Sequence, residues 1–192
     1  MKKIFLPFFL FVLSLQALAE EEKKNAYDQV WFTMGYGYLI AEDAKGSPLG
    51  PATATVGVQL WKWLVLDMSL GYVWALDYDD TNEHKGTDLD YFPVRAVLMY
   101  QPDIPIKSIE NFSLRPYAGI GPMFAINGTN YSNSNFSGGF SAKAGLRIRH
   151  KHHLYGIVLE YLFNHAHIEY NGIKNNYNAS GLAIGVEIGF TF

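Results

Sequence analysis

Seven charged side chains stand inside otherwise apolar segments of the sequence, and their types could support ion-pair chemistry. Four are bases and three are acids, so they could form a nearly neutral cluster if the fold brings them together. Such a cluster could line a pathway for solutes, or it could fill an interior with ion pairs. Neighbouring segments favour pairing of Arg147 with Glu160. The seven residues are Asp67, Arg95, Arg115, Lys143, Arg147, Glu160 and Glu187.

Histidine clusters are the second chemical feature. His165 and His167 are two residues apart, which puts both on one face of a strand, where they could chelate a metal together with a loop acid. The segment 150–153 has the sequence HKHH, a cationic turn that suits lipid headgroups better than a metal. His84 stands near Asp79, Asp80 and Glu83 in a segment typical of a solvated loop. We therefore expect no metal and no cofactor.

The elements that position these residues are eight segments in which apolar and small or polar residues alternate. A period of two is the signature of a β-strand, because successive side chains point to opposite faces. Segments such as AEDAKGSPLG, DDTNEHKGT, NGTNYSNSNFSG and NGIKNNYN separate them and have loop composition. The connection 102–112 is longer than its neighbours and is expected to hold a short helical turn. The eight strands are predicted near residues 27–40, 52–60, 64–78, 91–100, 114–126, 140–148, 154–164 and 181–192.

The two faces of these strands differ, and all seven charges fall on the face with the smaller residues. Arg or Lys facing mid-membrane lipid costs about 2–4 kcal/mol, so lipid around a barrel would enforce this separation. Inside, Tyr91, Met99, Tyr117 and Met123 add bulk to a narrow lumen. The predicted fold is all-β, a closed eight-stranded antiparallel up-and-down transmembrane β-barrel. Aromatic residues near the segment ends predict two girdles: Tyr36, Tyr38, Tyr72, Trp74, Tyr78, Tyr100 and Tyr155.

Length and composition set the remaining bounds. The chain has 192 residues, no cysteine and a net charge of −3, which gives no basic excess for nucleic acid. Residues 1–19 have the charged, apolar and A-x-A parts of a secretory signal peptide. We expect a short N-terminal segment at 20–26, which the family resemblance described below would place in the periplasm, and the barrel domain at 27–192. A soluble β-sandwich is the alternative to a membrane barrel.

The segments RPYAGIGPMFAI, FSAKAGLRI, YGIVLEYLF and GLAIGVEIGFTF carry a resemblance to a known family. The chain resembles the small eight-stranded outer-membrane β-barrels of Gram-negative bacteria, the porin-like and OmpA-transmembrane-domain-like group. The resemblance implies periplasmic termini, short periplasmic turns and longer surface loops. It also implies that the β-barrel assembly machinery recognises the last strand through Phe190 and Phe192.

The function expected from these features is that of an integral outer-membrane barrel with a side-chain-filled polar lumen. Its loops would serve structural roles or recognition and adhesion. Expected partners are outer-membrane lipid, lipopolysaccharide, the assembly machinery, and host or matrix ligands at the loops, and the barrel is expected to be a monomer. A narrow pore for small solutes is the alternative.

A lipid A-modifying enzyme is the third hypothesis. The outer-membrane lipid A deacylases are also eight-stranded barrels, and they carry a lipid-facing His-x-Ser pair on a late strand. Here His167 stands where that serine would be, so the nucleophile is missing. We therefore expect no enzymatic activity.

Overall fold

The structure is a computed structural model, and it describes residues 30–41, 49–79, 85–129, 132–170 and 173–192. Among these residues, no helix is long and apolar enough to cross a membrane. The predicted signal peptide and the 20–26 segment lie outside the described residues. Ten strands are present: β1 Val30–Ala41, β2 Leu49–Trp61, β3 Leu64–Asp79, β4 Lys85–Tyr100, β5 Ile104–Pro105, β6 Phe112–Thr129, β7 Ser132–His150, β8 His153–Tyr170, β9 Ile173–Asn178 and β10 Gly181–Thr191.

The strands close into one antiparallel barrel. β1 pairs with β2 on one side and with β10 on the other, where Trp31 lies opposite Thr191 and Ala41 opposite Gly181. β8 pairs with β7 and then with both β9 and β10, so these last two strands share the eighth position in the wall. The short β5 extends the line of β4 beside the start of β6. The predicted eight-stranded barrel is confirmed.

The side-chain alternation divides the wall as the sequence predicts. On β10 the even-numbered residues from Leu182 to Phe190 are each at least 40% exposed, and Glu187 between them is 7% exposed. On β4 the exposed Phe92, Val94 and Leu98 alternate with buried Arg95 and Val97. The large apolar face therefore forms the outside, and the charged face lines the lumen. One patch differs, because Val30, Val56 and Val58 of the outer set are buried together against Phe32.

The two ends of the barrel have different connections. One end carries Lys62–Trp63, the segment 101–111, Lys151–His152 and the final residue Phe192, and we call it the turn end. The opposite end, where residues 42–48, 80–84, 130–131 and 171–172 join the strands, is the loop end. The side chains of all seven charged residues point from the barrel wall into the lumen, between these two ends.

Two predictions about connections are wrong. The segments predicted as loops at 127–138 and 171–178 are largely strand, because the β6–β7 hairpin continues to Thr129 opposite Ser132 and β8–β9 to Tyr170 opposite Ile173. Polar residues suit these extensions, since hairpins that rise beyond the closed wall meet water. The segment 102–112 contains no helix: Ile104 and Pro105 form β5 against the free edge of β6, and a turn follows in which the Ile109 amide donates to the Ile106 carbonyl at 3.1 Å.

Candidate functional site

Arg147 on β7 is the centre of the lumen. Its side chain is completely buried, and its guanidinium donates four hydrogen bonds, one of them from Nη2 to Oε2 of Glu187 at 3.1 Å. Nε donates to Oε1 of Glu187 at 2.6 Å, Nη2 to Oδ2 of Asp67 at 2.9 Å, and Nη1 to Oε1 of Gln101 at 2.8 Å. Planar recognition of this kind suits arginine, which presents its donors in a fixed fork. Both acids lie on other strands, so Arg147 cross-links β7 to β3 and β10.

The guanidinium of Arg147 also lies over two aromatic rings. The carbon Cζ of Arg147 lies 4.5 Å from the centroid of Tyr117 and 5.4 Å from that of Trp31. Such cation–π contacts strengthen when the cation is desolvated. Trp31 has room because Gly57 faces it across the β1–β2 pair, where a Cβ atom would come within 2.0 Å of the indole. A side chain at position 57 would therefore displace Trp31.

Glu187 ties the last strand of the barrel to the rest of the wall. Besides Arg147, its carboxylate accepts hydrogen bonds from the Tyr117 hydroxyl at 3.1 Å and from Thr33 at 3.4 Å. Those donors lie on β6 and β1, so one carboxylate joins four strands across the closure. Lys143 completes this group with a 3.3 Å ion pair to Asp67. Asp67, Lys143, Arg147 and Glu187 together are electrically neutral, and we call them, with Gln101 and Tyr117, the Arg147 network.

The predicted pairing of Arg147 with Glu160 is wrong. In the β7–β8 register Glu160 lies opposite Lys143, whereas Arg147 lies opposite Gly156. Glu160 instead reaches across the lumen to Arg95 on β4, with 2.5 Å between Oε2 and Nη1, and it accepts a hydrogen bond from Ser141. In a narrow barrel, charged side chains can therefore pair across the lumen as well as between neighbouring strands. This second group is also neutral.

Arg115 forms the third group at the turn end. Its Nη2 lies 3.0 Å from Oδ2 of Asp103, and Arg149 lies 3.8 Å from the same oxygen. Burial alone would raise the pKa of Asp103, but hydrogen bonding from Arg115 and the charges of both arginines outweigh it and lower that pKa. The structure thus places all seven charged residues predicted for the lumen inside the barrel, in three separate groups.

Several members of these groups were not identified from the sequence as polar partners. Gln101 and Asp103 follow β4, and their position beside Pro102 suggested only a connection. Tyr117 was expected only to fill space in the lumen, but its hydroxyl also donates a hydrogen bond to Glu187. No signal in the sequence indicated the pairing of Asp103, because this residue lies outside the alternating segments, in a connection.

The loop-end half of the lumen is built differently. Its centre is an apolar cluster of fully or nearly fully buried side chains. At the level of the cluster, Asn164 donates to Asn127 at 3.1 Å, and Asn127 donates to Ser137 at 2.8 Å. Both asparagines are completely buried. The larger members of the apolar cluster are Leu39, Val73, Tyr91, Met123 and Leu162.

Aromatic residues mark both edges of the apolar outer face. Toward the loop end, the rings of Tyr72 and Phe92 stack at 4.3 Å, and the Tyr72 hydroxyl donates to Asp90. Toward the turn end, Trp63 and Tyr100 lie 5.6 Å apart. Phe92 and Tyr100 are eight residues apart on β4, which corresponds to about 21 Å along the axis at the usual rise and tilt. That height is close to the apolar band of outer-membrane barrels, about 25 Å. The Tyr78 side chain lies outside the described residues.

The histidines do not assemble a metal site in the part of the chain that the structure describes, where no group of three suitable ligands is found. His165 is exposed on the outer face and packs edge-on against Phe163 at 4.6 Å. The side chain of His167 and the cluster around His84 lie outside the described residues. The HKHH segment forms the turn between β7 and β8.

A closed barrel with an apolar exterior, aromatic edges and ion pairs along its axis is a transmembrane β-barrel protein. The chain belongs to the family described as the outer membrane protein beta-barrel domain, which matches residues 6–190. Membership confirms the resemblance suggested by the strand sequences and assigns the protein to the outer membrane of Gram-negative bacteria.

Solved structures agree with this fold. OprG from Pseudomonas aeruginosa superimposes with a TM-score of 0.61 and 13% identity over 85% of this chain and 96% of that one. Neisserial surface protein A gives a TM-score of 0.55 and 14% identity over 85% of this chain and 96% of that one. Likeness at these identities establishes the fold. No curated protein sequence matches the chain significantly.

Proposed function

We propose that this outer-membrane protein is a closed barrel that carries out its function at its loop end, in recognition or adhesion at the cell surface. The observation that carries the proposal is the filled lumen. The Arg147 network and the Arg95–Glu160 pair obstruct the turn-end half, and an apolar cluster obstructs the other half. An eight-stranded barrel is about wide enough for its own side chains to fill.

The loop end supports this proposal because its hairpins rise beyond the closed wall. β1 and β10 last pair at Ala41 and Gly181, whereas β8 continues to Tyr170 with only β9 beside it. Polar hairpins of this length offer backbone and amide groups to a ligand without opening the barrel. The name of one fold neighbour, Neisserial surface protein A, also describes a surface protein.

A loop exchange tests the recognition role. Residues 80–84 would be replaced by a Gly-Ser segment of equal length, and cells displaying the variant would be tested on surfaces coated with laminin, collagen or fibronectin. We expect adhesion to fall while heat-modifiable gel migration stays unchanged. The matched control replaces Lys151–His152 at the turn end with Asn-Gly, and it should adhere like the wild type. Equal adhesion by the wild type, the loop variant and cells without the protein contradicts the proposal.

Export and assembly complete the proposal. Residues 1–19 serve as a cleaved signal peptide, and the assembly machinery recognises the last strand through Phe190 and Phe192, whose side chains are 49% and 68% exposed on the outer face. The mature chain should begin at Glu20 by mass spectrometry. Phe192→Ala should lower the assembled fraction in cells several-fold, while refolding of the purified variant in detergent stays near wild type. Full-length chain in the membrane, or normal assembly of the variant, contradicts these assignments.

A narrow pore is the second candidate, and the ionic lining favours it. It predicts stepwise conductance in a planar bilayer that changes in Glu187→Gln. Enzymatic activity is not part of our proposal, because His165 and His167 have no serine between or after them in the strand. Unchanged lipid A acylation on expression is the expected result, and altered acylation would restore the enzyme hypothesis.

A further inference from the structure

The two ends of the barrel carry opposite charge. At the loop end, residues 42–48, 77–90 and 169–174 contain nine acidic and three basic residues. At the turn end, residues 61–64, 101–115 and 149–153 contain five basic and two acidic residues, together with three histidines. The histidines and Lys151 are consecutive, so the cationic groups concentrate in one turn.

We propose that this turn binds the phosphate groups of anionic glycerophospholipids in the leaflet around the turn end. The binding surface consists of His150, Lys151, His152 and His153 with the aromatic rings beside them, and we call it the HKHH surface. All four side chains are exposed. The inference depends on the barrel lying in a membrane and is independent of the role proposed for the loops.

The backbone fixes the turn on both sides. The amide of Lys151 donates to the carbonyl of Asn111 at 2.9 Å, which joins the turn to the neighbouring connection. The amide of Thr191 donates to the carbonyl of His152 at 2.8 Å, which joins it to β10. Lys151 has a φ of 56°, a left-handed conformation that turns the chain sharply. The backbone that carries the four side chains is therefore held in place by hydrogen bonds on both sides.

The two outer histidines lie among rings of the lipid-facing wall. His150 and His153 face each other across the turn, and the His150 ring lies 6.4 Å from Phe112. The His153 ring packs edge-on against Phe190 at 5.3 Å and lies 6.4 Å from Tyr155. Aromatic rings of this kind lie at the depth of lipid headgroups. The imidazole donors are thus at the level of phosphate, with Lys151 and His152 beyond them.

The acidic groups near this surface leave it cationic. Asp103 is engaged by both Arg115 and Arg149, at 3.0 and 3.8 Å. Glu110 is exposed in the neighbouring connection, and the exposed Lys107 and Lys62 at this end offset its charge. A phosphodiester accepts hydrogen bonds from lysine and imidazole donors, and each basic residue near an anionic membrane strengthens binding.

Native mass spectrometry of the folded barrel tests the proposal. Barrels would be released from detergent micelles that contain equal amounts of phosphatidylglycerol and phosphatidylcholine, and retained lipids would be counted. The test variant is His150→Gln with Lys151→Asn and His153→Gln, since asparagine tolerates the left-handed conformation. The control is Lys62→Asn in the turn between β2 and β3. Heat-modifiable migration verifies folding of each variant.

We expect the wild type to retain phosphatidylglycerol in preference to phosphatidylcholine, and the test variant to lose at least about fivefold of that preference, the contribution of one lysine near an anionic membrane. Lys62→Asn should lose less, because Lys62 lies in a different turn, outside the HKHH surface. No preference in the wild type overturns the proposal, and so does an equal loss in Lys62→Asn, which would indicate diffuse electrostatics. If the triple variant does not fold, Lys151→Asn alone replaces it, and retention equal to wild type then overturns the proposal.

Discussion

The two halves of the lumen exclude water by different means. The turn-end half is ionic, with Arg147 held by Asp67 and Glu187 and lying over two aromatic rings. The loop-end half is apolar around Leu162 and Met123 and contains two buried asparagines that are hydrogen-bonded to each other. Desolvating charges is costly, so an ion network does not by itself make a better core than packed hydrocarbon. The ionic half also links strands to one another, because Glu187 joins the closing strand β10 to three other strands.

This difference predicts different tolerance to substitution. Bidentate and stacked contacts depend on one geometry, so the Arg147 network should reject even conservative changes. Hydrophobic cores accept replacements that conserve volume, so the loop-end cluster should be permissive. Arg147 and Leu162 both point into the lumen, so substitutions at either position leave the lipid-facing surface unchanged.

Arg147→Met should produce the largest effect. It leaves Asp67 and Glu187 buried without their main cation, which costs about 3–5 kcal/mol of unfolding free energy. Urea unfolding in phospholipid vesicles, followed by tryptophan fluorescence, measures the loss. Arg147→Lys retains the charge without the fork and should still lose at least about 1.5 kcal/mol. A loss near zero for Arg147→Met would mean that the network does not stabilise the closed barrel.

Leu162→Ala is the matching change in the loop-end half. The side chain is completely buried, and its truncation should cost about 2–4 kcal/mol by the same assay. Leu162→Met conserves volume and should cost less than about 1.5 kcal/mol. The comparison fails if Leu162→Met destabilises the barrel more than Arg147→Lys does.

A double-mutant cycle on Arg95 and Glu160 sharpens the account of the ionic half. Either single change to Met leaves a buried charge, whereas the double variant leaves none. The double variant should therefore be more stable than the sum of the single losses predicts, by about 2–3 kcal/mol. Additive losses would show that the two side chains are not coupled, despite their contact.

Asp103→Asn should give the smallest effect, and its pH dependence has a definite sign. The pKa of Asp103 is lowered in the folded protein, so its contribution is present above the unfolded pKa of about 4 and is lost as pH falls through the folded value. The wild type should exceed the variant by less than about 1 kcal/mol at neutral pH, since the carboxylate is partly exposed. The difference should vanish in acid, and a difference that grows as pH falls would contradict the assignment.

The sequence alone predicted the eight-stranded wall, its two faces and the positions of the lumen charges. These features are local to each strand, because they depend on the alternation of side chains and on the cost of placing a charge in lipid. The partners did not follow. Arg147 meets Glu187 and Asp67 instead of Glu160 because pairing depends on stagger between strands and on reach across the lumen. Asp103 was missed because its connection folds back against β6 through two residues, Ile104 and Pro105.

At the loop end, too, the structure differs from what composition alone predicted. Composition alone predicted loops at 127–138 and 171–178, where the structure has mostly strand. Asn171-Gly172, between the paired Tyr170 and Ile173, is the strongest short-range signal for a two-residue hairpin connection. Turn chemistry was therefore the better guide to strand length in that segment.

Planar-bilayer recording of the folded wild-type barrel tests the closed lumen most directly. With the ionic half and the apolar half both filled, the account predicts a membrane that stays at its baseline current across the applied voltages. Regular, long-lived current steps from the wild type, altered by Glu187→Gln, would show an open path through the barrel and contradict it.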